Sequence, residues 1–373
     1  MSAEMQAFRD SVRRFIQKEL LPQQARWQAQ QRPDAGAWPQ AGRAGLLLTG
    51  VAEDFGGGGG TFAHEATVLE ELEIAGVHLG VVAHEMVARY LVAYAGEAQK
   101  RKWLPAMARG ELVGAVAMTE PDAGSDVQAI RASARRDGEH YVVSGSKNFT
   151  TNGAMAGLLC VAVKTDAALK GMRAISLLMV ETKDLAGYQV GRAIDKLGLH
   201  GQDTRELSFD EVRVPCANLL GSREGLGFSQ MMEQLPYERL CIGVTAVAAA
   251  EHAVRLTVRH VKERIAFGKP LFELQNTRFK LAECRTQAQV GRVFLDSCIE
   301  RFIAGELDEA GAAMAKYWLT ECQCRVIDEC LQLHGGYGYL TEYPIARMWA
   351  DSRVQRIYGG TNEIMKELIA WTL

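Results

Sequence analysis

The chain reads as an α+β protein with a helical first third, a β middle third and a helical last third. Three observations predict this. Apolar residues recur at three- and four-residue steps up to about residue 108. Short β-branched runs separated by Gly, Asp, Asn and Lys turns replace that period between about residues 141 and 214. Beyond Gly227 the helical period returns. Helices, then strands, then helices is not the alternation of a βαβ sheet, so the order favours an all-α protein split by an antiparallel β insert.

The elements follow in order. Met5, Phe8, Val12, Phe15, Ile16 and Leu20 mark one face of an amphipathic helix that stops near Pro22. Residues 64–94 and 97–108 carry the same period after a flexible turn at 56–60. The strand runs are 141–143, 158–163, 175–180 and 207–214. Helices are then expected over about 236–265, 275–304 and 308–334, with a shorter one after Thr361. This places Glu238 in a first helical turn just after Pro236, where the helix dipole favours an acid.

With 373 residues the chain is long enough for two or three domains around substantial cores. Against 45 Asp+Glu stand 42 Lys+Arg, a net charge of -3, and 48% of residues are hydrophobic. That balance is of a globular protein with no dominant polyanion-binding role, so no nucleic acid is expected as a partner. The apolar run at 240–250 ends at Glu251, short of the ~18 residues of a membrane helix, so no membrane span is expected. The start, MSAEMQAFRD, has neither the basic and apolar regions of a secretory signal nor an Arg-rich transit pattern, and a cytoplasmic protein is expected. Its eight cysteines form no CxxC pair and read as buried free thiols.

Several chemistries drop out. Gly56–60 lacks the Lys-Ser/Thr of a P-loop, no GxGxxG follows an early strand, and neither HExxH nor GxSxG occurs. No metal site is expected. What remains are five polar, glycine-containing clusters at the seams between segments: AMTEPDAGSD (117–126), SGSKNFTTNG (144–153), ERIAFGKPLFELQ (263–275), QLHGGYGY (332–339) and RIYGGTNEI (356–364). Small residues there free backbone N–H groups to meet an anionic or carbonyl-rich ligand.

On AMTEPDAGSD and QLHGGYGY…IYGGTNEI, in that order and spacing, the whole chain resembles the acyl-CoA dehydrogenase family. The resemblance implies an N-terminal helical domain (1–113), a middle antiparallel β domain (114–222) and a C-terminal four-helix bundle (223–373), binding FAD as a homotetramer or dimer. It implies that Met118 and Thr119 lie beside the flavin ring and Ser125 at the junction of FAD and acyl-CoA. Phe149 matches the Trp that usually covers the flavin, with Thr151 near flavin N5; Phe keeps the stacking face and loses the indole donor. Arg264, Phe267 and Gln275 match residues that reach the FAD of a neighbouring subunit, where an arginine fork suits a pyrophosphate. Gln332, Gly335 and Gly336 match a stretch of bare backbone close to the same dinucleotide. Thr361 and Glu363 complete the match.

Gly359 departs from the family. Most members carry the catalytic Glu at that position, whereas this chain reads Tyr358-Gly359-Gly360-Thr361. Long-chain and isovaleryl members place the base at the start of the C-terminal domain, followed by Arg, and the matching pair is Glu238-Arg239. The resemblance therefore implies that Glu238 takes the α-proton of an acyl-CoA, with Arg239, one residue round the helix, shaping the site together with Tyr358, Gly359 and Gly360. The Gly359 N–H and a ribityl hydroxyl would grip the thioester carbonyl. The β-hydride would pass to flavin N5, giving a trans-2-enoyl-CoA, and an electron-transfer flavoprotein would collect the electrons. Only a backbone N–H is needed at 359, so alanine there is expected to be mild. The competing readings are an acyl carrier protein dehydrogenase, an oxygen-using oxidase, and a non-catalytic acyl-CoA or flavin-binding protein. An acid at 238 argues against the last.

Overall fold

Val12 and Ile16 bury one face of α1 (Ala3–Phe15), whose first turn is capped where Ser2 Oγ accepts from the Met5 amide. The computed structural model describes residues 2–166, 169 and 171–373. The first helix runs on through a π turn, Ile16–Leu20, before Pro22. Then come α2 (Gln24–Gln30), α3 (Ala37–Arg43), α4 (Phe62–Ala75), α5 (Val81–Tyr94) and α6 (Glu97–Ala108). The glycine turn before α4 is a packed corner rather than a flexible one. A Cβ on Gly58 would lie 3.0 Å from the Thr49 carbonyl oxygen, so the backbones approach as closely as only glycine allows.

The middle region holds β1 (Gly114–Ala117), β2 (Ser133–Asp137), β3 (His140–Thr151), β4 (Leu158–Lys164), β5 (Ile175–Glu181), β6 (Tyr188–Ala193) and β7 (Thr204–Pro215). The sheet runs β1-β4-β2-β3-β7-β6, with β5 on the other side of β4. It is mixed rather than wholly antiparallel, because β1 pairs parallel with β4 from Gly114↔Leu158 to Ala117↔Val161. The intervening chain, which contains β2 and β3, supplies the crossover that a parallel pair needs. Strand β3 extends well beyond the expected 141–143, taking in most of the SGSKNFTTNG cluster. Pairing with β7 holds that polar half in the sheet where its own pattern would not.

The last region opens with α7 (Gly227–Glu263) and a short hairpin, β8 (Ile265–Ala266) and β9 (Lys269–Pro270). It continues with α8 (Gln275–Ile303), α9 (Glu309–Leu333), α10 (Pro344–Ser352) and α11 (Asn362–Ala370). Helix α7 begins well before the expected residue 236, so Pro236 lies inside it and Glu238 is not a first-turn acid. Buried Gly227, Gln230 and Met231 anchor the preceding turns, and this packing outweighs the one amide that proline lacks. An 18-residue window of α7 is apolar enough to cross a membrane by hydropathy, yet 67% of that window is buried, as in the core helix of a bundle.

Helix α7 is common to two cores. Leu240, Cys241 and Val244 pack with Leu69 and Leu72 of α4 and Val87 of α5, while Ala249, Ala250 and Ala253 pack with Cys284 of α8 and Cys322 of α9. Truncating a fully buried leucine such as Leu240 to alanine costs about 2–5 kcal/mol. The catalytic residue candidates therefore stand on a rigid strut.

Candidate active site

Where α4, α5 and α7 meet, the core is interrupted by a cavity of ≈150 Å³. Leu69, Leu72, Val82, Met86 and Ile242 give it apolar walls, and Glu238, Thr151 and Tyr358 also face it. The Glu238 carboxylate makes no hydrogen bond or ion pair to any described residue, which leaves both oxygens free to take a proton. Burial raises its pKa above the usual carboxylate range, against the opposing pull of Arg239 and Lys316.

The turn carrying Gly359 closes over this carboxylate. A Cβ on Gly359 would stand 3.6 Å from Glu238 Oε1 and would collide with Ile242 Cδ1. The absent side chain at 359 would thus lie in van der Waals contact with the carboxylate of Glu238. Gly359 has φ 63°, and Gly360 φ 87°, so both sit in the left-handed region that other residues disfavour. Alanine at 359 is therefore strained on two counts, contrary to the mild effect expected from the need for an N–H alone. Arg239 points away from the cavity: it is buried, and its Nη1 donates to Glu309 Oε1 at 3.3 Å.

The first two polar clusters are tied together beside Thr151. Buried Lys147 donates from Nζ to the Met118 carbonyl (3.0 Å) and to Glu120 Oε1 (2.7 Å), and the Asn148 amide donates to the Thr119 carbonyl (2.8 Å). Between Lys147 and Thr150 the pairing of β3 with β7 slips, and Phe149 adopts φ 55° in that bulge. The bulge turns the Phe149 ring out, 64% exposed, while Thr151 faces the cavity. Met118 and Thr119 are partly buried and Ser125 is exposed; none of these three lines the cavity.

Arg264, Gln332, Gly335 and Gly336 share a second, wider space of ≈540 Å³ with Thr277, Tyr337 and Leu340. The Arg264 guanidinium lies 5.6 Å from the Tyr337 ring centroid and has no carboxylate partner among the described residues. Nothing lies within 4 Å of a Cβ built on Gly335 or Gly336, and Gly335 has φ 58°. An unneutralised arginine facing open glycine backbone fits a pyrophosphate, and the exposed rings of Phe149 and Tyr339 offer faces to flat ring systems. These residues suit FAD. Phe267, 91% exposed at φ 53°, and Gln275, the first residue of α8, lie outside this space. Thr361 caps α11 by accepting from the Ile364 amide at 3.3 Å, and Glu363 is exposed in its first turn; neither lines either of these two spaces.

Four polar residues escaped the sequence reading. Lys147, within the SGSKNFTTNG cluster, and Lys316 are each 0% exposed. Asp203 accepts from the Ala154 and Met155 amides and fixes the turn after Thr151. Glu73 lines the catalytic cavity with its pKa pushed up to about 7, chiefly by burial. No one of them carries a sequence signal, apart from the position of each lysine within an otherwise patterned segment.

The chain, whose helical domain, β domain and helical bundle bring together a half-buried carboxylate and an open arginine–glycine cleft, matches three family models along its length. They are the N-terminal (residues 2–111), middle (115–212) and C-terminal (225–373) domains of acyl-CoA dehydrogenase. The chain belongs to the acyl-CoA dehydrogenase family. It is 45% identical to the mitochondrial long-chain specific acyl-CoA dehydrogenase of Sus scrofa, over 99% of this chain and 86% of that protein. The crystal structure of an acyl-CoA dehydrogenase from Geobacillus kaustophilus superposes with a TM-score of 0.97 at 45% identity, covering 100% and 98% of the two chains. A chain from the structural study of the electron transferring flavoprotein of Acidaminococcus fermentans superposes with a TM-score of 0.94 at 31% identity, covering 100% and 98%.

Proposed function

We propose that this FAD-dependent acyl-CoA dehydrogenase uses Glu238 as the base that removes the α-proton of a saturated acyl-CoA, giving a trans-2-enoyl-CoA. The observation that carries this is the convergence of Glu238 Oε1 on the space above Gly359, 3.6 Å from where a Cβ would lie. The family's usual position for the base and the carboxylate of Glu238 thus address one point from two elements. The largely apolar walls on one side limit solvation of the carboxylate, which raises its pKa and makes it a better acceptor for a weakly acidic C–H proton. The Gly359 N–H donates to the thioester carbonyl as charge develops there. Thr151 marks the flavin side of the cavity, and Arg264 with the backbone at 335–336 would hold the pyrophosphate. FAD, when bound, supplies the acceptor for the β-hydride.

The same reading includes an electron-transfer flavoprotein as acceptor, a homotetramer, and the cytoplasm as compartment. Phe279, Val290 and Val293 support the assembly, since they form an exposed apolar stripe at helical spacing on α8. Eight unpaired thiols support a reducing compartment. The test is anaerobic titration of the yellow holoenzyme with saturated acyl-CoAs of increasing length. Bleaching of the flavin band by wild type and its absence in Glu238→Gln support the assignment; bleaching by both at one rate removes Glu238 from the role.

A further inference from the structure

The turn over Glu238 is held from behind by a residue with no assigned part in the reaction. Lys316, on α9, is fully buried, and its Nζ donates to the Gly360 carbonyl at 2.6 Å and to Asn362 Oδ1 at 2.9 Å. Asn362 is fixed in turn, donating from Nδ2 to Thr320 Oγ1 and Glu321 Oε1, each at 3.0 Å, and Glu321 pairs with Arg356 at 2.7 Å. Two consecutive left-handed glycines have many alternative conformations, so a Gly359-Gly360 turn keeps one shape only if something outside it decides which. The buried ammonium does so. Burying a lysine is costly, and both its hydrogen-bond acceptors are neutral, so the cost is offset by these contacts to the turn and by the field of nearby carboxylates.

We propose that Lys316 is a positioning residue for the dehydrogenation: it pins the 358–360 turn so that the Gly359 amide meets the thioester carbonyl. This rests on Glu238 being the base and Gly359 the carbonyl donor. The titratable and charged groups near enough to act on Glu238 are Arg239 on its own helix, Lys316 on α9, Tyr90 on α5, Cys241 one turn on, and Tyr358. Those that face Lys316 are Glu238, Arg239, Glu321 and Glu363. Arg239 and then Lys316 oppose the burial that raises the Glu238 pKa, so loss of the Lys316 charge moves that pKa further up. Burial draws the ammonium down to about 8, opposed first by Glu238, so it is charged through the neutral range.

The experiment is single-turnover flavin reduction in the holoenzyme from about pH 6 to about pH 9, with the saturated acyl-CoA that reduces wild type fastest. Lys316→Met removes anchor and charge, so the rate falls about 10- to 100-fold. The acid limb of the profile should also rise by roughly half to one pH unit, because a neutral neighbour no longer favours the carboxylate. Lys316→Gln keeps a donor for the Gly360 carbonyl; it recovers part of the rate and shows the same displaced limb. A lysine that only closes the bundle would lower the melting temperature or FAD content and leave the acid limb in place, and that result overturns the proposal. Glu238→Gln is run alongside. If it reduces flavin normally, the parent reading fails; if it is inactive while both Lys316 variants keep wild-type rate and profile, only the present inference fails. Should Lys316→Met not retain FAD, Asn362→Ala decides, since it loosens the anchor and leaves the charge. A several-fold slower rate with an unmoved limb supports the proposal, and a wild-type rate overturns it.

Discussion

Around Glu238, α4, α5, α7 and the 358–360 turn of one chain close on a space of ≈150 Å³ with aliphatic walls on one side, polar residues such as Glu73 and His78 on the other, and an unpartnered carboxylate. Around Arg264 the chain leaves a space of ≈540 Å³ rimmed by Gln332, Tyr337 and two glycines that meet nothing. The first region is finished within the chain; the second presents cation, bare backbone and rings outward. A base in an apolar setting needs walls that limit water, whereas a dinucleotide site needs reach and donors. Substitutions in the first region should therefore change chemistry with binding intact, and those in the second should change cofactor retention and assembly.

Glu238→Gln should have the largest effect, about 10³-fold or more on flavin reduction by acyl-CoA, with FAD content and acyl-CoA affinity unchanged. Stopped-flow absorbance against equilibrium titration separates the two. In wild type the rate of that step should fall as pH drops through a group whose pKa lies above the ordinary carboxylate range. Burial raises the Glu238 pKa, and the protonated form cannot accept the substrate proton. A rate that stays flat with pH down to the ordinary carboxylate range would contradict that assignment.

Arg264→Ala should weaken FAD retention about ten- to a hundred-fold, the value of a charge-assisted contact, and shift the protein toward smaller species on sizing. Wild-type FAD content together with wild-type size would place this arginine outside the cofactor site. Gly359→Ala follows, at about ten-fold on flavin reduction, because its φ of 63° and the collision with Ile242 displace the turn. The double variant Gly359→Ala with Ile242→Val relieves the collision but not the backbone strain, so it should recover only part of the rate. Phe149→Trp should be the smallest, a change of about two- to five-fold in reoxidation by an acceptor flavoprotein, since a ring face is retained at an exposed position. Equal rates for the two would show that the missing indole N–H has no part in acceptor access.

The order of elements was legible because each region keeps its own hydrophobic period over many residues, and the whole-chain resemblance rests on contiguous motifs. What was lost in reading depends on contacts between distant segments. Pro236 suggested a helix start, but burial of Gly227, Gln230 and Met231 carries α7 straight through it. Residues 144–151 have no strand pattern of their own and are strand only because β7 lies beside them. Arg239, adjacent to the proposed base in sequence, faces Glu309 instead of the cavity, since one step along a helix is about 100° of turn. Lys316 lies far from Glu238 and from the glycine turn in sequence, and no motif marks it; only the packing of α9 against α7 and α11 brings the three together.

The central claim, that Glu238 moves the α-proton, is tested most directly with the redox step removed. An acyl-CoA with sulfur in place of the β-carbon keeps its α-protons and has no β-hydride to give. Incubated with oxidised holoenzyme in deuterated buffer, it should exchange its α-protons with wild type and lose that exchange by about 10³-fold with Glu238→Gln, while the two proteins bind the analogue equally. Exchange at the wild-type rate in Glu238→Gln would mean that another group takes the proton.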